Sequence, residues 1–252
     1  MTDPLRSEIV VCLGSSTTAS RGTYKWIDEL ESRPQNRRFH FVNLGVGGDL
    51  SFNTVRHLDR VIALRPDRVI VLIGTNDIMA SVFPNFGRFV RVWKRFSQEP
   101  SPARFEENLA MIVRRLHSEA NTRVALSSLA PLGEEPGSSH PIQARLNDLI
   151  ATYNDAIRKT ASTEDTDYIP FYEAFQARIT ESTTRKPFIR FSFASFYRDY
   201  LFRQLILRRT FDEISRSNGW EFHIDGIHLN TNGGRILTET VQQFLDSRTP
   251  LL

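Results

Sequence analysis

Asp225-Gly226-Ile227-His228 places a carboxylic acid three residues before a histidine. Across one tight turn that acid can reach the ring Nδ1, fix the tautomer and leave Nε2 to take up a proton. A base needs something to deprotonate, and the other end of the chain supplies it. Gly14-Ser15-Ser16-Thr17-Thr18 follows the apolar run Ile9-Val10-Val11-Cys12-Leu13, which reads as a buried strand. A hydroxyl there would sit at the carboxyl edge of a sheet, where open α/β folds place their sites. A serine followed much later by Asp-x-x-His is one chain order in which a Ser-His-Asp triad is built. Taken alone, Asp-x-x-His is more often a solvated turn.

Two further blocks weigh against that bland reading. Asn43-Leu44-Gly45-Val46-Gly47-Gly48-Asp49 comes at the end of the apolar run Phe39 to Leu44, and Gly74-Thr75-Asn76-Asp77 follows Val69-Ile70-Val71-Leu72-Ile73. In a parallel sheet both blocks would converge on the edge that carries Ser16. Glycines let a backbone N–H approach a substrate closely, and an asparagine amide is a neutral donor. With the N–H of Ser16 these are the parts of an oxyanion hole.

Positioning such groups requires strands alternating with helices, and the pattern supplies them. Tyr24, Trp26, Ile27 and Leu30 suit a helix that ends before Pro34, and Val55, Leu58, Val61 and Ile62 suit a second halted near Pro66. Phe105, Leu109, Ile112, Val113 and Leu116 keep the same spacing ahead of the strand Val124-Ala125-Leu126-Ser127-Ser128. A long amphipathic helix carries Ile142, Leu146, Leu149, Ile150, Tyr153 and Ile157. Tyr168-Ile169-Pro170 marks the last strand, and Ile236, Leu237, Val241 and Phe244 lie on a closing helix. Glu134-Glu135-Pro136-Gly137-Ser138-Ser139 reads as an exposed loop. The strand order does not follow from these patterns.

The four blocks resemble those of the SGNH hydrolases, or GDSL esterase/lipase superfamily, over the chain from Ile9 to about Phe244. Ser16 matches the family's nucleophile, Gly48 and Asn76 its oxyanion donors, and Asp225 and His228 its acid and base. The family's Gly-Asp-Ser reads Gly14-Ser15-Ser16 here. That aspartate supports the turn in the family, so activity is expected to survive its replacement by Ser15. The resemblance implies an α/β fold: a three-layer α/β/α sandwich around a flavodoxin-like, five-stranded parallel sheet with helical insertions. It also implies hydrolysis of a carboxylic ester of the acyl-ester, lipid or acetylated-sugar class through an acyl-enzyme. No cofactor or metal is implied.

A length of 252 residues can bury one α/β core, and 40% hydrophobic with 24% charged residues is ordinary for a globular chain. One domain over residues 1–252 is expected. Cys12, the single cysteine, lies mid-strand and excludes disulfides within the chain. The segment before Ile9 has no apolar h-region, so a cytoplasmic location is the default expectation.

Two segments exceed what the minimal fold needs. Residues 81–102 hold Phe83, Phe86, Phe89, Trp93 and Phe96 among Arg88, Arg91, Lys94 and Arg95. Residues 175–220 hold Phe188, Phe191, Phe193, Phe196, Tyr197, Tyr200, Phe202 and Phe211, with Arg190, Arg198, Arg203, Arg208 and Arg209. Both could pack as extra helices with arginines snorkelling to water. As cap insertions they would instead wall an ester pocket and present arginines to an anionic group or a lipid surface. The expected partner is a small-molecule ester, and no nucleic-acid motif is present.

His40, His57, His117 and His140 show no metal-ligand spacing. His223 competes with His228 for the role of base but lacks the i, i+3 acid, so a structural or pocket-lining place is expected. Asp49 and Asp77 are expected to brace the loops of Gly48 and Asn76. Two other functions fit parts of the pattern. A hydroxyl-rich loop after a first strand also resembles the phosphate loop of flavodoxins, which would make the chain an FMN- or phosphate-binding module. An inactive descendant could bind a sugar or partner through its aromatic segments.

Overall fold

The computed structural model describes residues 7–95, 99–181 and 206–247, with single positions 187, 189, 198, 203 and 204. Five parallel strands form one sheet in the order β2-β1-β3-β4-β5. They are β1 (Glu8–Gly14), β2 (Phe39–Gly45), β3 (Arg68–Leu72), β4 (Arg123–Ser127) and β5 (Asp167–Ile169). Val10, Val11, Cys12 and Leu13 of β1 are buried because helices cover both faces and β2 and β3 flank both edges. This is the expected α/β/α sandwich. Two strands end one residue earlier than their apolar runs, so Ile73 and Ser128 lie just past the ladder; β5 ends before Pro170, which has no N–H to donate.

Helices α1 (Ser16–Ala19) and α2 (Trp26–Ser32) pack on one face, beside β1 and β2. On the other lie α3 (Ser51–Ala63), α4 (Thr75–Val82) and α5 (Pro84–Trp93), followed by α6 (Pro102–Arg115) and α7 (Pro141–Thr163). The chain returns to the first face with α8 (Phe171–Glu181), then α9 (Phe211–Asn218) precedes α10 (Thr231–Asp246), which packs on α2 and α8. The amphipathic spacing read from the sequence puts Phe105, Leu109, Ile112 and Val113 of α6, and Leu146, Ile150, Tyr153 and Ile157 of α7, inside. At about 25 cal/mol per Å² of apolar surface, these stripes hold the helices against the sheet.

The first extra segment contains all of α5, which buries Phe86 and Val90 and exposes Val92 and Trp93. In the second, α8 and α9 are helical, as packing helices require. Phe188, Phe191, Phe193, Phe196, Tyr197, Tyr200 and Phe202, with Phe96 of the first segment, lie outside the described residues. No described helix is long and apolar enough to cross a membrane.

Candidate active site

The parallel sheet sets three of the sequence blocks side by side, because β2, β1 and β3 are neighbours and their carboxyl ends share one edge. Ser16 is the first residue of α1, directly beyond β1. The tight passage depends on Gly14: a Cβ there would lie 2.3 Å from the Leu72 carbonyl oxygen and from Thr18 Oγ1. Ser15 is buried and Ser16 half-buried, which separates the two adjacent serines. Asn43 ties the turn to β2 by donating from Nδ2 to the Thr18 carbonyl at 2.8 Å.

Gly48 lies in the loop between β2 and α3 with a φ of 77°. Asn76 is in the first turn of α4, buried, and its Nδ2 donates to the Asp49 carbonyl at 2.8 Å. An amide nitrogen carries two hydrogens, so this bond orients the group and leaves a second N–H to donate. The two aspartates brace these loops, as expected. Asp49 accepts from Lys94 Nζ at 2.7 Å, and its other oxygen lies 3.2 Å from His57 Nε2. Asp77 accepts from the Ser51 N–H at 3.0 Å and the Ser51 hydroxyl at 2.7 Å, tying α4 to the first turn of α3. Burial raises the Asp77 pKa to about 6, against the opposing pull of those two bonds.

Asp225 and His228 lie at the tip of a short hairpin. Ile224 N–H donates to the His228 carbonyl at 2.7 Å, and Asn230 N–H donates to the Phe222 carbonyl at 3.1 Å. Asp225 Oδ2 is 2.8 Å from His228 Nδ1, while Oδ1 accepts from the N–H groups of Ile227 and His228 at 3.0 and 2.8 Å. Burial disfavours the carboxylate, but the His228 charge and these bonds prevail and lower its pKa to about 2. Burial likewise favours neutral imidazole, yet the Asp225 charge and hydrogen bond raise the His228 pKa above its ordinary value. Gly226 turns the tip with a φ of 86°, and a Cβ there would sit 2.8 Å from Ile189 Cγ1 and 2.9 Å from the Trp220 ring.

The hairpin is fastened beside α1. Tyr24 N–H donates to the Leu229 carbonyl at 2.9 Å, and the Thr23 hydroxyl bonds both the carbonyl and the N–H of Leu229 at 3.1 Å. A small cavity is lined by Ser15 and Thr17, by Thr75, and by Ile227 and Leu229. Residues on either side of Ser16 and of His228, and the residue before Asn76, therefore meet around one space. Ser16, His228 and Asn76 do not line that space themselves; it marks where the segments that carry them come together.

Sequence patterns gave no sign of one buried pair. Glu134, expected in an exposed loop, is buried instead. Its Oε1 accepts from the N–H groups of Phe222 and His223 at 2.7 and 2.9 Å and lies 3.0 Å from His223 Nδ1; Oε2 accepts from the Glu221 N–H at 3.0 Å. These four contacts satisfy a carboxylate that water cannot reach, which corrects the loop expectation. Against burial, they and the His223 interaction lower the Glu134 pKa to about 2. His223 is itself fully buried, which gives it a structural place. Among the described residues, no group of three or more His, Cys, Asp or Glu is disposed to hold a metal ion.

Residues 12–187 match the GDSL-like lipase/acylhydrolase family. No curated protein sequence matches the chain. Among solved structures, the chain is similar to LAE5, an alpha/beta hydrolase enzyme from the metagenome of Lake Arreo, Spain, with 19% identity, 94% of each chain covered and a TM-score of 0.62. It is also similar to Axe2, an acetylxylan esterase from Geobacillus stearothermophilus, with 15% identity, 98% of each chain covered and a TM-score of 0.61. A putative GDSL-like lipase from Parabacteroides merdae shares 14% identity over 94% of this chain and 95% of its own, with a TM-score of 0.61. These likenesses show the fold, and the match over residues 12–187 covers well over half the sequence. The chain belongs to the GDSL-like lipase/acylhydrolase family.

Proposed function

We propose that the protein hydrolyses carboxylic esters through a serine-bound acyl-enzyme. The observation that carries this reading is the 2.8 Å bond between Asp225 and His228 Nδ1, on a hairpin whose residues share a cavity with those flanking Ser16. Ser16 Oγ attacks the ester carbonyl while His228 Nε2 takes its proton. The N–H groups of Ser16 and Gly48 and the Asn76 side chain receive the tetrahedral oxyanion. Collapse expels the alcohol, to which His228 returns the proton. Water, activated by the same imidazole, then releases the acid.

Among acyl esters, lipids and acetylated sugars, an acetylated carbohydrate is the class to test first, since Axe2 is an acetylxylan esterase. The second extra segment serves as a cap in this reading. Support comes from Ile189, which is buried against Gly226 at the hairpin tip. The flavodoxin-like alternative asks the Ser15–Thr18 hydroxyls to hold a phosphate, but Ser15 and Thr18 are both buried. It also leaves the oriented histidine without a task.

Labelling with a fluorophosphonate probe, followed by peptide mapping, tests nucleophile and class together. The label is expected on Ser16; Ser16→Ala abolishes labelling and ester turnover, and Ser15→Ala retains a measurable fraction of both. A label mapped to Ser15, or purification with a bound yellow chromophore, would overturn the assignment.

A further inference from the structure

Beside the loop that carries Gly48, α3 and the turn ending α5 border an open cleft of about 370 Å³. That lies at the small end of ligand sites. Its walls are strongly basic. Asp49 is buried and already engaged by Lys94 at 2.7 Å and His57 at 3.2 Å. Arg56 and Arg95, both exposed, also line the cleft, and neither has a carboxylate partner among the described residues. Arg56 instead lies 5.9 Å from the centroid of the Phe52 ring. The lining thus carries Lys94, Arg56 and Arg95 against the single carboxylate of Asp49, an excess of two positive charges, with guanidinium groups suited to a planar or tetrahedral anion.

Trp93 also lines the cleft and is 63% exposed, although Phe86 and Val90 of the same helix are buried. Its ring centroid stands 5.0 Å from that of Phe89 and 4.9 Å from Lys94 Nζ, so a ring contact and a cation hold the indole in place. A held, exposed indole offers a flat apolar face for the C–H surface of a sugar ring. The cleft also reaches the proposed chemistry: a Cβ built on Gly48 would lie 3.4 Å from Lys94 Cε and 3.9 Å from the Trp93 ring.

We propose that this cleft is a substrate subsite for an anionic sugar unit, stacking its ring on Trp93 and pairing its carboxylate or phosphate with Arg56 and Arg95. The word substrate rests on the proposed hydrolase function; the binding site does not. Trp26 and Trp220 are 1% and 7% exposed, so Trp93 emission reports on the cleft. Titration of the full chain with glucuronate, glucose 6-phosphate and glucose tests binding and separates the two anions. At least one charged sugar should half-saturate the signal at a concentration about ten-fold or more below that of glucose. Trp93→Phe should remove the signal, and the double variant Arg56→Ala/Arg95→Ala should erase the preference, as high salt should reduce it. Equal half-saturation by all three sugars, or a preference that survives the double variant, overturns the proposal.

A kinetic arm compares acetylated glucuronate and glucose 6-phosphate with acetylated glucose. The kcat/KM ratio should favour the better-bound charged sugar and fall about ten-fold in the double variant. A ratio near one for both charged sugars overturns the subsite. Selective binding with no turnover of any ester, and no probe on Ser16, rejects the hydrolase reading while upholding the anionic-sugar site.

Discussion

Two histidines of one hairpin each pair with a carboxylate, and the pairs differ in almost everything except chemistry. At the tip, His228 meets Asp225 three residues away, and the two side chains are 12% and 20% exposed. At the base, His223 meets Glu134 across 89 residues of sequence, and both side chains are fully buried. His223 packs against the Phe175 ring at 5.1 Å, and its Nε2 has no hydrogen-bond partner. His228 instead follows Ile227 on the wall of the cavity shared with Ser15, Thr17 and Thr75. A histidine and a carboxylate can make a base or a strut. Access to a reacting atom decides which, and the buried pair holds the hairpin that carries the proposed base.

The largest contrast should come from the two histidines themselves. His228→Ala is expected to lower ester turnover by about 10³-fold or more with little change in unfolding midpoint, as loss of a triad base does. His223→Ala should reverse the pattern, lowering the midpoint while the folded fraction retains most of its activity. Steady-state rates and urea unfolding of both variants measure this. A dead His223→Ala beside an active His228→Ala would exchange the two assignments.

Exchanging the acids gives a smaller but complementary pair of effects. Glu134→Gln removes the charge that receives three backbone N–H groups, and should destabilise the protein by about 3 kcal/mol at neutral pH. Asp225→Asn should act on catalysis, less severely than loss of His228. The proposed mechanism needs neutral imidazole, so activity rises with pH through the His228 titration. With Asp225 intact that limb lies above the ordinary pKa of 6.5; without the negative charge, burial alone remains and the limb moves to lower pH. A pH–kcat/KM profile that does not move in Asp225→Asn would break the link between the two groups.

The smallest effect is a pH dependence of stability. Glu134 has a pKa of about 2 against an ordinary 4.5, and Asp225 about 2 against 3.8. Both pKa values are depressed by folding, so their stabilisation is present above the ordinary values and is lost as pH falls toward 2. Asp77, raised to about 6 from 3.8, works in the opposite sense: the folded state binds its proton more tightly, so its contribution grows as pH falls from about 6 to 4. Unfolding free energy should therefore drop below about pH 4.5, and Glu134→Gln should flatten that acid limb. An unchanged limb would mean that the strut does not control acid stability.

The elements legible in the sequence were those whose signal is local. Val10–Leu13 and Val69–Leu72 are continuous apolar runs because both sheet faces are covered, and Leu109, Ile112 and Val113 keep the helical period because one face is. Asp225 and His228 were legible for the same reason, since three residues of backbone suffice to bring them together. The glycines beside Ser16, the Gly48 loop and Asn76 marked strand ends, which the parallel order then made neighbours. Glu134 gave no such sign. Its partners lie 87 to 89 residues away, and the surrounding Glu-Pro-Gly-Ser composition reads as loop. Lys94 and His57 on Asp49 are likewise 45 and 8 residues distant, on elements whose relative placement no pattern encodes. By itself the sequence determined the strands, the longer amphipathic helices, the acid–histidine turn and the family blocks, because each depends on neighbours within a few residues. The strand order came with the family resemblance rather than from any local pattern, and tertiary structure alone decided which histidine is buried and which carboxylate holds the hairpin, because burial is a property of what distant segments pack around a group.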